Sequence, residues 1–156
     1  MNNNSILIAD DQLEKQRSLK NFLENNFNEY TLDSSYSFRS TREKIIKNKY
    51  SLILLDMTMP SSDSKTHSDF VSDGKGRALA GSDIIQTMHY RMMDTPVIIV
   101  TQFDVFGRHN QLTSIEEITS ELLSNYPSIV KGFVLWDYQS DNWNNILLNL
   151  INGCLK

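Results

Sequence analysis

The hydrophobic residues of this chain alternate between short continuous runs and runs with helical spacing. Continuous apolar runs at 6–8, 52–55 and 97–100 are typical of strands that are buried on both faces. Between them, apolar residues recur every three or four positions, as they do over 13–27. This alternation predicts an α/β fold in which parallel strands are connected by helices.

Weaker patterns complete the prediction. They indicate a strand within 30–38, a helix through Ile45 and Ile46, a helix over 84–92, a helix from 113 or 114, a strand over 132–138 and a last helix over 140–155. Strand and helix thus repeat about five times. The chain is predicted to form a single domain over 1–156, a flavodoxin-like doubly wound five-stranded parallel sheet of order 2-1-3-4-5 with helices on both faces.

Composition narrows the classes of function. The 156 residues carry a formal net charge of -4 and show no basic stripe with aromatics, so no direct contact with nucleic acid is expected. No apolar stretch reaches the roughly 20 residues that span a bilayer, and the N-terminus lacks a signal-peptide pattern. Cys154 has no partner for a disulfide within the chain. We therefore expect a cytoplasmic protein without membrane contact.

Acidic residues follow the predicted strands. Asp10 and Asp11 come directly after the first run, Asp56 follows the run at 52–55, and Thr101 ends the third run. Ligands bind outside the carboxyl ends of strands in an open parallel sheet, so these side chains should meet at one edge. Clustered carboxylates repel each other unless protons or a cation neutralise them. The pattern therefore predicts a hard divalent metal beside a nucleophilic aspartate.

Three sequence motifs carry a resemblance to a known family. The segments ILIADD ending at Asp11, LLDMTMP around Asp56 and IIVT ending at Thr101 resemble the receiver domain of two-component response regulators. The resemblance covers nearly the whole chain, apart from two apparent insertions. One is the Ser-, Asp-, Lys- and Gly-rich segment 61–80, and the other lies between Thr101 and Gly132. Both put the usual output and dimer surfaces of the family in question.

The resemblance implies a phosphoacceptor and a metal site. Asp56 matches the aspartate that accepts a phosphoryl group from a histidine kinase. Asp11 matches a direct magnesium ligand, Asp10 a neighbouring acid that acts through water, and Thr58 the residue whose backbone carbonyl binds the metal. Mg²⁺ is the expected cofactor, with Mn²⁺ as a substitute, because both prefer oxygen ligands.

The resemblance also implies a switch, and here the pattern breaks. Thr101 matches the hydroxyl residue that turns toward the phosphoryl group, and Phe133 matches the aromatic switch position. Receivers place a lysine near the end of the fifth strand, but with a strand over 132–135 that position holds Trp136. In an alternative register, a strand over 129–133 would make Lys131 the active-site lysine. Composition favours the first register.

The predicted function is that of a stand-alone, atypical receiver with no separate output domain. It would take a phosphoryl group from a histidine kinase or phosphotransfer protein and signal to a downstream protein effector, with a homodimer as a further option. The alternative is a phosphorylation-independent pseudo-receiver that acts as a protein-binding module. A phosphatase of the haloacid dehalogenase type would need a second aspartate where Thr58 stands. We therefore do not expect an enzyme.

Overall fold

The computed structural model describes residues 4–62, 80–102, 105–106, 113–137 and 139–155. Apart from two short strands after Thr101, strands and helices follow one another in the predicted way. The elements are β1 (Ser5–Ala9), α1 (Leu13–Asn26), β2 (Thr31–Ser35), α2 (Phe38–Lys47), β3 (Leu52–Leu55), α3 (Ala80–Tyr90), β4 (Val97–Thr101), β5 (Val105–Phe106), β6 (Thr113–Ser114), α4 (Ile115–Asn125), β7 (Val130–Leu135) and α5 (Asn142–Cys154). Most of the predicted insertion at 61–80 lies outside the described residues.

Five parallel strands form the main sheet in the order β2-β1-β3-β4-β7. The predicted flavodoxin-like order is therefore confirmed, with β7 as the fifth strand of the sheet. The short strands β5 and β6 pair with each other in antiparallel fashion, outside that sheet. They belong to the longer segment after Thr101, where the sequence pattern predicts an insertion but no strands.

The core has two layers, one on each face of the sheet. Alternate residues of β1, β3 and β4 face opposite layers, since successive side chains in a strand point to opposite sides. One layer includes Leu7 and Ile53 with helices α2, α3 and α4, and the other includes Ile8 and Leu54 with α1 and α5. All residues of β3 and β4 are buried. Double burial explains why both strands appear as continuous apolar runs.

Helix α1 departs from the predicted amphipathic pattern in its first turn. The pattern assigns Leu13 to the apolar face, but this residue is 67% exposed, whereas Lys15 and Gln16 are buried. The side-chain nitrogen Nε2 of Gln16 donates to the carbonyl oxygens of Ile8, Asp10 and Ser35 at 2.9, 3.0 and 3.2 Å. A polar side chain thus ties the start of α1 to the carboxyl ends of β1 and β2.

Strand β7 covers Val130–Leu135, which overlaps both of the strands considered for this part of the sequence. Ile98 pairs with Gly132 and Thr101 pairs with Leu135, so Trp136 comes directly after the end of the strand. Lys131 lies near the amino end of β7, where its exposed ammonium group donates to the Pro127 carbonyl at 3.2 Å. The strand thus continues two residues beyond the end at 133 that the alternative register predicts, and Lys131 lies away from the strand end that Trp136 follows. The assignment of the lysine position to Trp136 stays a prediction.

Within the described parts of the chain, no helix is both long enough and apolar enough to cross a bilayer.

Candidate functional site

The three aspartates predicted to form a site do meet at the carboxyl edge of the sheet. Ala9 and Leu55 are paired in register, so Asp10 and Asp56 leave neighbouring strands at the same level. The backbone N–H of Asp56 donates to the Ala9 carbonyl at 2.9 Å, which extends the ladder to the first residue after β3. One carboxylate oxygen each of Asp10, Asp11 and Asp56 lies within 4.8 Å of the others.

Burial makes this cluster electrostatically strained. Asp10 and Asp56 are 1% and 5% exposed, and Asp11 is exposed. Burial raises the pKa of Asp56 to about 7; Lys15 opposes that rise, and the charges of Asp10 and Asp11 add to it. Burial also raises the pKa of Asp10, against the opposing effect of Lys15. Binding of a proton or of a cation is therefore favourable at both carboxyl groups.

The geometry fits a divalent metal. Oδ2 of Asp10 is buried and, apart from its ion-pair contact with Lys15, has no hydrogen-bond partner among the described residues, so a metal would compete with Lys15 for this hard oxygen ligand. Three carboxylates within reach of one ion are suitable for Mg²⁺, which binds through carboxylates and keeps several waters. The Thr58 hydroxyl donates to Oδ2 of Asp56 at 3.5 Å. The role of its backbone carbonyl as a metal ligand stays a prediction.

Lys15 is a member of the pocket that the sequence analysis missed. Its side chain is 1% exposed, and Nζ lies 2.6 Å from Oδ2 of Asp10 and 3.3 Å from Oδ1 of Asp56. Nζ also donates to the Val100 carbonyl at 2.6 Å. A signal was present in the sequence, because Lys15 precedes Leu19 by four residues and so lies on the buried face of α1. A lysine on an apolar face near two aspartates is a candidate ion pair.

The two predicted switch residues lie on neighbouring strands. Thr101 is fully buried, and its hydroxyl oxygen has no hydrogen-bond partner within the described residues. A buried hydroxyl group without a partner is costly, so a ligand that satisfied it would gain free energy. Phe133 pairs with Ile99 in the sheet and packs, partly exposed, against the core. The switch roles of both residues stay predictions.

Trp136 closes the end of β7 and points toward helix α1. Its backbone N–H donates to the Thr101 carbonyl at 2.9 Å, and its indole nitrogen donates to the Ser18 hydroxyl at 3.3 Å. The side chain is 3% exposed and packs in the same layer as Trp143. A buried, neutral ring thus follows directly after the end of β7, and the match of Trp136 to the lysine position of typical receivers stays a prediction.

Comparisons with known structures identify the fold. A CheY-like response regulator receiver domain protein from Methanospirillum hungatei JF-1 is 19% identical, with a TM-score of 0.65 over 99% of this chain and 94% of that chain. The response regulator TrrA from Thermotoga maritima, in a complex with Mg(2+)-BeF, is 17% identical, with a TM-score of 0.58 over 94% of this chain and 98% of that one. At these identities, the likeness shows the fold alone.

Sequence comparison identifies the family. No family model matches the chain. However, the Detocs response regulatory protein DtcB from Enterobacter cloacae (strain JD6301) is 50% identical over 147 residues, which cover 94% of this chain and 97% of that protein. Half of all positions therefore agree over almost the full length of both chains, and the fold agrees with receiver structures. This chain belongs to the response regulators, as a protein of receiver fold.

Proposed function

We propose that this chain is an atypical receiver that accepts a phosphoryl group on Asp56 from a partner histidine kinase or phosphotransfer protein, in a reaction that depends on Mg²⁺. The observation that carries the proposal is the placement of Asp56. It stands level with Asp10 at the edge of the sheet, within 4.8 Å of two further carboxylates. Relatedness to a response regulatory protein supports a signalling role.

Beyond the nucleophile Asp56, the proposed reaction needs no further residue that forms a covalent bond. A carboxylate oxygen of Asp56 attacks phosphorus, the bond between phosphorus and the donor breaks with the electron pair left on the donor, and an aspartyl phosphate forms. Phosphoryl transfer depends mainly on positioning and on stabilisation of charge. A bound Mg²⁺ would supply much of that stabilisation, held by Asp10, Asp11, Asp56 and the Thr58 carbonyl. The buried hydroxyl of Thr101, which has no partner among the described residues, would donate to a phosphoryl oxygen.

The output of the proposed receiver is a protein contact. Phosphorylation adds negative charge and shifts the balance between conformers, and a downstream protein effector binds one of them. The formal charge of -4 argues against direct contact with nucleic acid. A homodimer is compatible with this proposal.

One observation favours a second candidate, a pseudo-receiver that binds a protein partner without phosphorylation. The pocket already contains a cation, because Lys15 lies in ion-pair contact with Asp10 and Asp56. A carboxylate pair neutralised in this way could remain a structural feature of a binding module. Trp136 in place of the usual lysine points in the same direction.

Incubation with a small phosphodonor and magnesium, followed by intact mass spectrometry, distinguishes the two candidates. We expect one phosphoryl adduct, which is lost in Asp56→Asn and when magnesium is chelated. Asp83→Asn is the matched control, because Asp83 is an exposed carboxylate on α3 outside the cluster, and this variant should be modified like the wild type. A wild-type protein that gains no mass and binds no magnesium in calorimetry would refute the proposal and support the binding module.

A further inference from the structure

The pocket needs a positive charge that strand β7 does not provide. Trp136 occupies the strand end, and its indole nitrogen is directed to Ser18 on α1. Lys131, the lysine of β7, lies near the other end of the strand. Among the described residues, Lys15 is the basic side chain in ion-pair contact with Asp10 or Asp56.

We propose that Lys15, on helix α1, supplies the positive charge of the phosphoacceptor pocket: its ammonium group pairs with Asp10 and Asp56 before phosphorylation and binds a phosphoryl oxygen on Asp56 afterwards. The inference rests on the proposed phosphorylation of Asp56. It gives the task of the missing strand-end lysine to a residue from a different element.

The burial and the contacts of Lys15 indicate that its ammonium group is held in one position. Lys15 is 1% exposed, and three acceptor oxygens lie within 3.3 Å of Nζ, two from carboxylates and one from the Val100 carbonyl. Moving a charged ammonium group out of water costs several kcal/mol unless its partners are well placed. All three acceptors belong to residues at the carboxyl ends of β1, β3 and β4. The nitrogen therefore lies among strand-end oxygens at the same edge of the sheet as the proposed phosphoacceptor.

The neighbouring residue holds Lys15 in this position. Gln16 donates to the carbonyl oxygens of Ile8, Asp10 and Ser35 and accepts a hydrogen bond from the Ser34 hydroxyl at 2.9 Å. These contacts fix the rotation of α1 about its axis. The adjacent side chain is thereby directed toward the strand ends rather than toward solvent.

The transfer changes the charge in a way that suits an ammonium group. An oxygen of Asp56 forms a bond to phosphorus while the bond from phosphorus to the donor breaks, and the donor keeps that electron pair and takes up a proton from solvent. A carboxylate with one negative charge becomes an acyl phosphate with up to about two. Lys15 already lies 3.3 Å from Oδ1 of Asp56, so it can follow this charge with a small movement.

The same geometry makes Lys15 a competitor of the metal. Nζ lies in ion-pair contact with Oδ2 of Asp10, the buried oxygen that is otherwise available as a ligand. A divalent ion bound to Asp10 and Asp56 would lie close to this ammonium group and be repelled by it. Removal of the charge should therefore strengthen metal binding while it weakens phosphorylation, and a purely structural ion pair would not have these opposite effects.

The test compares Lys15→Met with Lys15→Arg and with Lys20→Met, which removes a charge from a half-buried position on the same helix. Lys15→Met should bind magnesium about tenfold more tightly in calorimetry and be phosphorylated by a small donor about tenfold more slowly or worse. Lys15→Arg should recover part of the rate, and Lys20→Met should behave like the wild type. Unchanged metal affinity and rate in folded Lys15→Met would overturn the proposal.

A second measurement uses the unmodified chain, in case Lys15→Met does not fold. With ¹⁵N-labelled lysine, the side-chain resonance missing in Lys15→Arg should shift when magnesium is added and shift again with beryllofluoride. A resonance that moves in neither step overturns the role of Lys15. If the wild type gains no phosphoryl adduct, the proposed function fails, and the magnesium titrations alone decide whether Lys15 is the resident cation: tighter binding in Lys15→Met supports it, and equal binding overturns it.

Discussion

The buried carboxyl group of Asp56 should make folding stability fall as pH rises toward neutrality when no metal is bound. Burial raises the pKa of Asp56 from 3.8 to about 7. A carboxyl group with a raised pKa in the folded state contributes stability that is fully present below its unfolded pKa and lost as pH rises through its folded pKa. The side-chain amide of Asp56→Asn cannot ionise, so this variant lacks the pH-dependent loss.

The magnitude follows from the two pKa values. Each pH unit between the folded and unfolded pKa is worth about 1.4 kcal/mol. A rise from 3.8 to about 7 therefore corresponds to a loss of up to about 4 kcal/mol between acid and neutral pH. Asp10 and Lys15 share the same field, so removal of one carboxylate eases the ionisation of the other, and we expect at least about 2 kcal/mol.

The assay is denaturant unfolding from about pH 5 to about pH 8 in the presence of a chelator. The free energy of unfolding of Asp56→Asn minus that of the wild type should increase from about pH 5 and level off above about pH 7, where Asp56 is ionised in both the folded and the unfolded state. Any constant cost, such as the lost partner of Lys15, cancels in this comparison. With saturating magnesium the increase should disappear, because a bound cation favours the ionised carboxylate.

Asp33 provides a control of opposite character. Burial alone would raise the pKa of Asp33, but hydrogen bonds from Lys44 and Tyr50, at 2.6 and 2.7 Å, outweigh it and lower the pKa. Its contribution is therefore lost only in acid, and Asp33→Asn should show a constant difference from the wild type over the tested range. A constant difference for Asp56→Asn as well would refute the reasoning, since it would mean that Asp56 is not buried in a charge-excluding pocket.

Three further variants, the first of them with a matched control, test the elements that shape the site. Gly81→Ala should destabilise the protein by about 1–3 kcal/mol, because a Cβ there would stand 2.9 Å from the Asp56 carbonyl oxygen. Gly153→Ala is its control: apart from the adjacent residues and the backbone of its own helix, no atom of the described residues would lie within 4 Å of a Cβ there, so it should be neutral or stabilising by up to about 1 kcal/mol. Equal effects in thermal unfolding would contradict the packing argument. Gln16→Ala should lower the free energy of unfolding, measured with denaturant, by about 2–3 kcal/mol, because three buried carbonyl groups lose a hydrogen bond. A loss below about 0.5 kcal/mol would show that the Gln16 hydrogen bonds contribute little to stability. Trp136→Phe keeps an aromatic ring but loses the indole hydrogen bond, so the free energy of unfolding should fall by about 1 kcal/mol; a much larger loss would point to packing instead.

The sheet and its acidic edge could be predicted because strands that are buried on both faces appear in the sequence as continuous apolar runs. Strands β3 and β4 are apolar at nearly every position, which fixes both their existence and their ends. Once the ends are known, the parallel order places Asp10 beside Asp56. Edge strands show a weaker pattern: β7 contains buried, half-buried and exposed residues, and its predicted start at Gly132 lies two residues too late.

The buried lysine was missed because the pattern was drawn from apolar residues alone, although Lys15 lies four positions before Leu19 on the same face. The apolar pattern includes Leu13 and omits Lys15, yet the structure exposes the first and buries the second. The difference arises from what the first turn of α1 faces. It lies over strand ends that carry carboxylates and carbonyl groups, and so a polar side chain is the favourable occupant there.

The origin of the cation determines which element is coupled to the acidic pocket. Coulombic attraction has no fixed direction, so an ammonium group from α1 can neutralise Asp10 and Asp56 as well as one from a strand end. A cation on β7 would couple the pocket to the strand that contains Phe133. The observed cation instead couples it to α1, a helix that also binds the indole of Trp136 through Ser18. Any change in the charge of Asp56 is therefore expected to act first on α1 and on its contact with the end of β7.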